Sequence, residues 1–243
     1  MRAYLAEFLS DPRVVELPRW LWLPILHGIV LRRRPAESAR KYAKIWTAEG
    51  SPLAVHTARQ AQLLRAAIGL PVEYAMRYGE PSIASALRKL SGKPRVVSLY
   101  PQYARSTTES IRDVVGRDAD FVEQFHDHPG YVAALAALVD ERPDVLVMSF
   151  HGLPQRAVDR GDPYRDQCLR TAKLLAEALH LPEQRYRITF QSRFGPAKWL
   201  QPYTADVLAE LGAAGHRLAQ QVAGRDLGDA LVVAQSLGLR TLV

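Results

Sequence analysis

Cysteine is nearly absent from this chain: of 243 residues, only Cys168 carries a thiol. An intrachain disulfide, a cysteine-ligated zinc and an iron–sulfur cluster therefore cannot be built from this chain alone, and a reducing, cytoplasmic setting is the default expectation. There is no Gly-x-Gly-x-x-Gly after a strand, no Gly-x4-Gly-Lys-Ser/Thr loop and no Gly-x-Ser-x-Gly elbow, which leaves dinucleotide binding, nucleotide triphosphate hydrolysis and a hydrolase-type serine without support. The opening Met1-Arg-Ala-Tyr-Leu-Ala-Glu7 has no basic stretch followed by an apolar run, so it predicts no secretion. Repeats, low-complexity tracts and long Gly/Ser linkers are also missing, so a domain boundary must fall in a short connection, expected within residues 110–120.

What is present suits a globular protein with a sizeable core: 48% of residues are hydrophobic and 23% charged. The net charge of +7 favours anionic partners of any kind, nucleic acid, acidic lipid and carboxylate-bearing small molecules alike. The basic residues are scattered apart from Arg32-Arg33-Arg34 and come with no nucleic-acid module, so no nucleic-acid partner is expected.

Short apolar runs alternate with helical stretches. Residues 96–100, 145–150 and 188–191 read as buried strands, which argues for α/β layers around a mainly parallel sheet. Between the last two, Asp162 is placed to cap a helix opened by Pro163, with Cys168, Thr171, Ala172, Leu175 and Leu179 along one face. Residues 131–139 read as a further helix, limited by Pro143.

The apolar run from Leu17 to Leu31, closed by Arg32 to Arg34, is interrupted by Pro24 and is too short to cross a bilayer. It reads as a core helix with a basic exit, or as a surface that meets an anionic membrane or covers an apolar ligand through Trp20 and Trp22.

Open α/β sheets bind ligands at the carboxyl ends of their strands. His151 follows one strand and precedes Gly152-Leu-Pro154, a turn that leaves its imidazole facing the crevice. A neutral imidazole there ligates a divalent metal or accepts a proton, although a hydrogen-bonded structural histidine is an equal reading of that residue alone. Gln191, Ser192 and Arg193 follow the next strand and are expected near the same rim; Trp199 offers a flat surface for stacking or simple packing. Tyr100-Pro-Gln-Tyr-Ala-Arg-Ser-Thr-Thr108 follows a third strand, and the convergence of strand ends suggests one pocket. His126 and His128, two apart, would share one face of a strand and could hold a metal, but no third ligand is evident, which favours a structural role.

The strings Met148-Ser-Phe-His-Gly-Leu-Pro154, Phe190-Gln-Ser-Arg-Phe-Gly-Pro196 and Trp199-Leu-x-Pro-x-Thr204 resemble the pattern of the ferrochelatase family. So do Arg34-Pro, Tyr42-x-x-Ile-Trp-Thr-x-x-Gly-Ser-Pro52, Ala75-Met-Arg-Tyr78, Tyr100-Pro-Gln-Tyr103 and Ser106-Thr-Thr108, in the family's order and across roughly residues 1–215. The resemblance implies two Rossmann-like (chelatase-type) halves, residues 1–115 with a porphyrin lip and residues 116–243 with the catalytic histidine. It implies a lyase that inserts Fe²⁺ into a porphyrin, protoporphyrin IX before others, to give haem, with iron as substrate and no prosthetic group. His151 takes the place of the catalytic and metal-facing histidine, while Arg34, Tyr42, Ser51, Tyr100, Ser106, Thr107, Gln191 and Trp199 take substrate-binding places. The segment from Leu17 to Arg34 corresponds to the lip, with peripheral membrane contact as a second reading.

The chain departs from the family pattern at both ends. It is expected to lack the family's first strand, and past Gly215 the pattern's glutamate opposite the histidine is not found; Asp226 and Asp229 are the nearest carboxylates. A truncated, inactive relative that at most binds porphyrin is therefore the runner-up. A chelatase for another tetrapyrrole or metal is a third reading.

Overall fold

The computed structural model describes residues 1–117, 119–139, 144–193 and 195–216. Two units emerge: Met1–Ser98 with Arg105–Glu123, and Leu99–Ala104 with the chain from Gln124 onwards.

The first unit begins with α1 (Arg2–Ser10), whose Leu5 and Leu9, one helical turn apart, are both buried. α2 (Arg19–Ile25) runs through a π-helical turn at Leu26–Val30 into α3 (Leu31–Ala43), with Pro24 and Pro35 inside the two helices. Each proline removes a backbone donor, and wider π turns are one way a helix absorbs such a break. Leu26 and Leu31 pack with Leu5 and Leu9; burying Leu26 fully contributes about 1.5–3 kcal/mol. α4 (Pro52–Ile68) opens on Pro52 and closes on Gly69 at φ +66°, the left-handed conformation glycine adopts without strain.

After α5 (Ile83–Leu87), capped by the Ser82 hydroxyl, come β1 (Arg95–Val97), a π-helical turn at Arg105–Glu109, α6 (Ser110–Val115) and β2 (Asp120–Val122). β1 and β2 pair in parallel, Arg95 opposite Asp120.

A buried carboxylate ties this unit together. Asp11, which ends α1, accepts hydrogen bonds from Ser110 Oγ (2.6 Å), Arg77 Nη2 (2.7 Å) and Tyr78 Oη (2.8 Å) on one oxygen, and from the Arg13 amide (2.8 Å) on the other. Burial alone would raise its pKa; these donors and the Arg77 charge outweigh it and hold Asp11 below the ordinary carboxylate value.

The second unit holds α7 (Pro129–Ala136), β3 (Leu146–His151), α8 (Gln155–Asp159), α9 (Tyr164–Ala178), β4 (Tyr186–Gln191) and α10 (Thr204–Ala213). β3 and β4 are parallel neighbours, so α8 and α9 form the crossover that a parallel connection needs. Cys168, Thr171, Ala172 and Leu175 lie buried along α9, as their spacing predicts. Both sheets found among the described residues are two-stranded and parallel, in keeping with an α/β fold.

Several expectations are corrected. β1 ends at Val97 and does not reach Tyr100: its partner β2 ends at Val122, and Leu99–Ala104, with a proline that has no N–H to give a ladder, belongs to the second unit. The helix expected over residues 131–139 stops at Ala136. Asp162 does not occupy the cap position, which is Pro163, but its carboxylate still accepts the Tyr164 amide at 3.0 Å. His126 and His128 do not share a strand face; they lie in a turn, where His128 Nδ1 accepts the Gly130 amide at the start of α7. Residues 19–34 are helical, but within the segment only Leu26 and Leu31 are buried while Trp20 is 78% exposed, so most of it is not core. Asp226, Asp229 and the helix-limiting Pro143 lie outside the described residues.

Replacing Asp11 with Ala is expected to cost about 3 kcal/mol, because it strands a half-buried Arg77 and two hydroxyls. The native pKa is depressed, so the wild-type advantage is full above the ordinary value of 3.8 and fades as pH falls through the lower native value. Urea unfolding of both proteins at pH 7 and pH 3 checks magnitude and sign.

Candidate functional site

Six consecutive pairs run from Leu146 opposite Tyr186 to His151 opposite Gln191. Side chains alternate along a strand, so Val147, Ser149 and His151 share one sheet face with Arg187, Thr189 and Gln191. That face begins with buried Val147 beside half-buried Arg187, is hydroxylic in its middle and carries an imidazole beside an amide at its carboxyl end.

The chain then folds back over this end. The Gly152 amide donates to Gln191 O at 2.8 Å, the Leu200 amide to Leu153 O at 2.9 Å and the Gln155 amide to Lys198 O at 2.9 Å. Pro154 and Trp199 thus form an antiparallel bridge that holds the indole next to the histidine's own strand. A Cβ on Gly152 would stand 2.8 Å from Gln191 O and 3.3 Å from Trp199 Cε3. The missing side chain is therefore what allows His151, Gln191 and Trp199 to come together.

Beneath them Thr204 Oγ1, at the start of α10, lies 2.8 Å from Ser149 Oγ and 2.9 Å from Thr189 Oγ1. The Phe190 amide donates to Pro202 O at 2.9 Å, so backbone and hydroxyls together seat residues 199–204 against both strands.

The His151 imidazole keeps an open side towards solvent, yet surrounding protein displaces enough water to draw its pKa below 6.5. A neutral ring with an available lone pair is the dominant form at pH 7.

The loop bearing Tyr100 belongs to the same unit. The Tyr103 amide donates to Gln167 Oε1 at 2.6 Å, Gln102 Nε2 to Thr171 Oγ1 at 3.1 Å and the Phe125 amide to Pro101 O at 2.9 Å, while Thr171 donates to His126 O at 2.8 Å. Gln167 and Thr171, one turn apart on α9, anchor this loop, a role the sequence reading did not assign. The available signal was a buried threonine within an otherwise apolar helix face.

The other sequence-predicted residues lie in the first unit. Arg34 is half-buried in α3, and Tyr42, exposed near its end, meets Trp46 edge-on at 6.3 Å. Ser51 stands at the N-terminal cap of α4, and Ser106 and Thr107 lie half-buried in the π-helical turn. Among the described residues no three His, Cys, Asp or Glu side chains are grouped to hold a metal ion.

Gly152→Ala is expected to force the indole or the Gln191 carbonyl aside, costing about 1–3 kcal/mol. A lower melting temperature with a shifted Trp199 emission, read against a Trp199→Phe control, checks it.

The ferrochelatase family profile matches residues 1–223, past the point where the motifs alone ran out. A ferrochelatase of Azoarcus sp. (strain BH72) is 52% identical over 88% of this chain and 66% of its own length. That of Polaromonas sp. (strain JS666) is 49% identical over 98% of this chain and 72% of its own, and that of Nitrosomonas europaea is 52% identical over 87% and 65%. The chain thus spans about two thirds of the length of these curated relatives. With a profile match over most of its residues, and with His151 at the carboxyl end of β3 beside Gln191 and Trp199, the chain belongs to the ferrochelatase family.

Proposed function

We propose that this protein is a ferrochelatase-type lyase that inserts Fe²⁺ into a porphyrin, protoporphyrin IX before others, to give haem. The single observation that carries the reading is the neutral-held imidazole of His151, aligned with Gln191 at a strand end and flanked by the Trp199 indole. Insertion of one Fe²⁺ replaces two pyrrole N–H protons, so the reaction releases two protons without any change of oxidation state. A lone pair facing the ring centre is what this chemistry requires, as first ligand to the ion or as acceptor of a leaving proton. Trp199 supplies a flat apolar surface for the macrocycle, and Tyr100, Ser106, Thr107, Gln191, Arg34, Tyr42 and Ser51 hold it through the positions they share with the family pattern.

The lip supports a second part of the proposal, peripheral contact with an anionic membrane. Trp20, Leu21, Ile25 and Ile29 are all exposed on α2 and the π-helical turn, with Arg19 before them and Arg32 and Arg33 after. Aromatic and aliphatic side chains bordered by cations suit the interface of an acidic bilayer. No helix among the described residues is long and apolar enough to cross a membrane.

Anaerobic mixing with protoporphyrin IX and Fe²⁺ tests the main reading. The wild type is expected to form haem, and His151→Ala to lose at least about a hundredfold in kcat. Because the imidazole pKa is lowered, the rate is expected to hold through neutrality and decline only as pH drops below 6.5 and the ring gains its proton. Porphyrin binding without metalation by the wild type would favour the inactive, porphyrin-binding relative instead. Flotation with phosphatidylserine-containing vesicles tests the lip: Trp20→Ala together with Ile29→Ser is expected to release the protein, and salt to weaken what remains.

A further inference from the structure

α9 meets the proposed site on two sides. Its Cys168 packs with Phe190 of β4 and with Leu200, the immediate neighbours of Gln191 and Trp199. The preceding residue, Gln167, reaches the loop that carries Tyr100, where its Oε1 accepts the Tyr103 amide at 2.6 Å, and its Nε2 donates to Gln124 Oε1. A backbone N–H can only donate, so the amide oxygen of Gln167 is committed to Tyr103 and its nitrogen is left to serve Gln124. One planar group thus ties two stretches, residues 100–104 and 124–126, to the same turn of α9.

Other bonds make the tie rigid. The Phe125 amide donates to Pro101 O at 2.9 Å and joins the two stretches directly. Thr171, one turn beyond Gln167, accepts from Gln102 Nε2 at 3.1 Å and donates to His126 O at 2.8 Å. The loop is consequently buried at Pro101, Gln102 and Ala104, while Tyr100 is 37% exposed. Loop, helix and both strands belong to the second unit, so the stance of the Tyr100 backbone relative to β3 and β4 is set within one compact body.

Resting on the porphyrin reading above, we propose that Gln167 is a positioning residue: through the Tyr103 amide it fixes Tyr100 against the wall formed by His151, Gln191 and Trp199. α9 acts as a bracket, with Cys168 seated on the β4 side and Gln167 on the loop. Gln167 acts through Tyr100 and makes no contact of its own with the macrocycle. Tyr100 holds the ring both before and during metal entry, so loss of its placement falls on KM and leaves kcat in place.

A double-mutant cycle with Tyr100 decides the matter. Gln167→Met is close in length and carries neither N–H nor carbonyl. It is expected to raise the Kd for protoporphyrin IX, read by fluorescence titration, and the KM for its anaerobic metalation by about fivefold, with kcat within about twofold. Gln167→Glu should return both to within about twofold of the wild type, because a carboxylate still accepts the Tyr103 amide and Gln124 can turn its own N–H towards it. In a Tyr100→Ala background Gln167→Met should add less than about 1.5-fold, since the ring it places is gone. A full fivefold loss in that background would make Gln167 a general structural residue, and unchanged Kd and KM in the single variant would remove it from recognition; either overturns the proposal. Tyr100→Ala that binds porphyrin as the wild type does also overturns it, while the lyase reading survives that result. Gln167→Ala takes the place of Gln167→Met if that variant does not fold; if neither folds, Gln167 holds the unit rather than the loop, and the proposal falls. If the wild type binds porphyrin but does not metalate it, the lyase reading fails and Gln167 is judged on Kd through the same cycle. If the wild type binds no porphyrin, both proposals fall.

Discussion

Parallel pairing of two six-residue strands is the constraint on which the site rests. Because Ser149 faces Thr189 and His151 faces Gln191, one register decides both the hydroxyl layer and the imidazole–amide pair above it. A shift by one residue would turn His151 to the opposite face and put Phe150 in its place. The register is protected by burial: Leu146, Val147, Met148, Thr189 and Phe190 are all nearly inaccessible, so no slipped arrangement keeps them from water. Packing within this unit sets the side chains along both strands, and His151 and Gln191 at the strand ends share that register.

The first unit is organised on another principle. Its sheet is only three residue pairs long among the described residues, and a charged hub takes over part of the role of a core. Asp11 draws together α1, the segment holding Arg77 and Tyr78, and α6. Aromatic edges reinforce the same junction, Phe8 meeting Tyr78 at 5.1 Å and Tyr4 meeting it at 6.4 Å. Hydrogen bonding, which depends on direction, specifies geometry here where apolar contact alone would leave freedom.

Legibility followed the range of the interactions involved. β3 was readable because a buried parallel strand is a continuous apolar run, and α9 because Cys168, Thr171, Ala172 and Leu175 recur at helical spacing. The extent of β1 was overestimated because Val96 to Tyr100 is apolar enough for a strand while its partner, β2, is short. His126 and His128 would share a face only on a strand, and the Pro129 that follows instead marks the first turn of a helix and makes His128 its cap. Asp11 gave no local sign of its role, since the side chains that donate to it lie 66 to 99 residues away. Trp199 came near His151 in the sequence reading only through the family's motif order; the close approach at Gly152 that makes it possible is visible in coordinates alone.

The hydroxyls of Ser149 and Thr189 meet through that of Thr204. Thr189 and Thr204 are almost wholly shielded, and Thr204 bonds to both of the others, so its hydroxyl stands in for the water that burial excludes. An apolar replacement of Thr204 takes this partner from both neighbours, whereas exchange of all three together removes every hydroxyl of the set. Residues far apart along the chain are in this way bound to a shared history: a lineage can keep the trio or abandon it, but passing through the half-altered forms weakens the floor under His151.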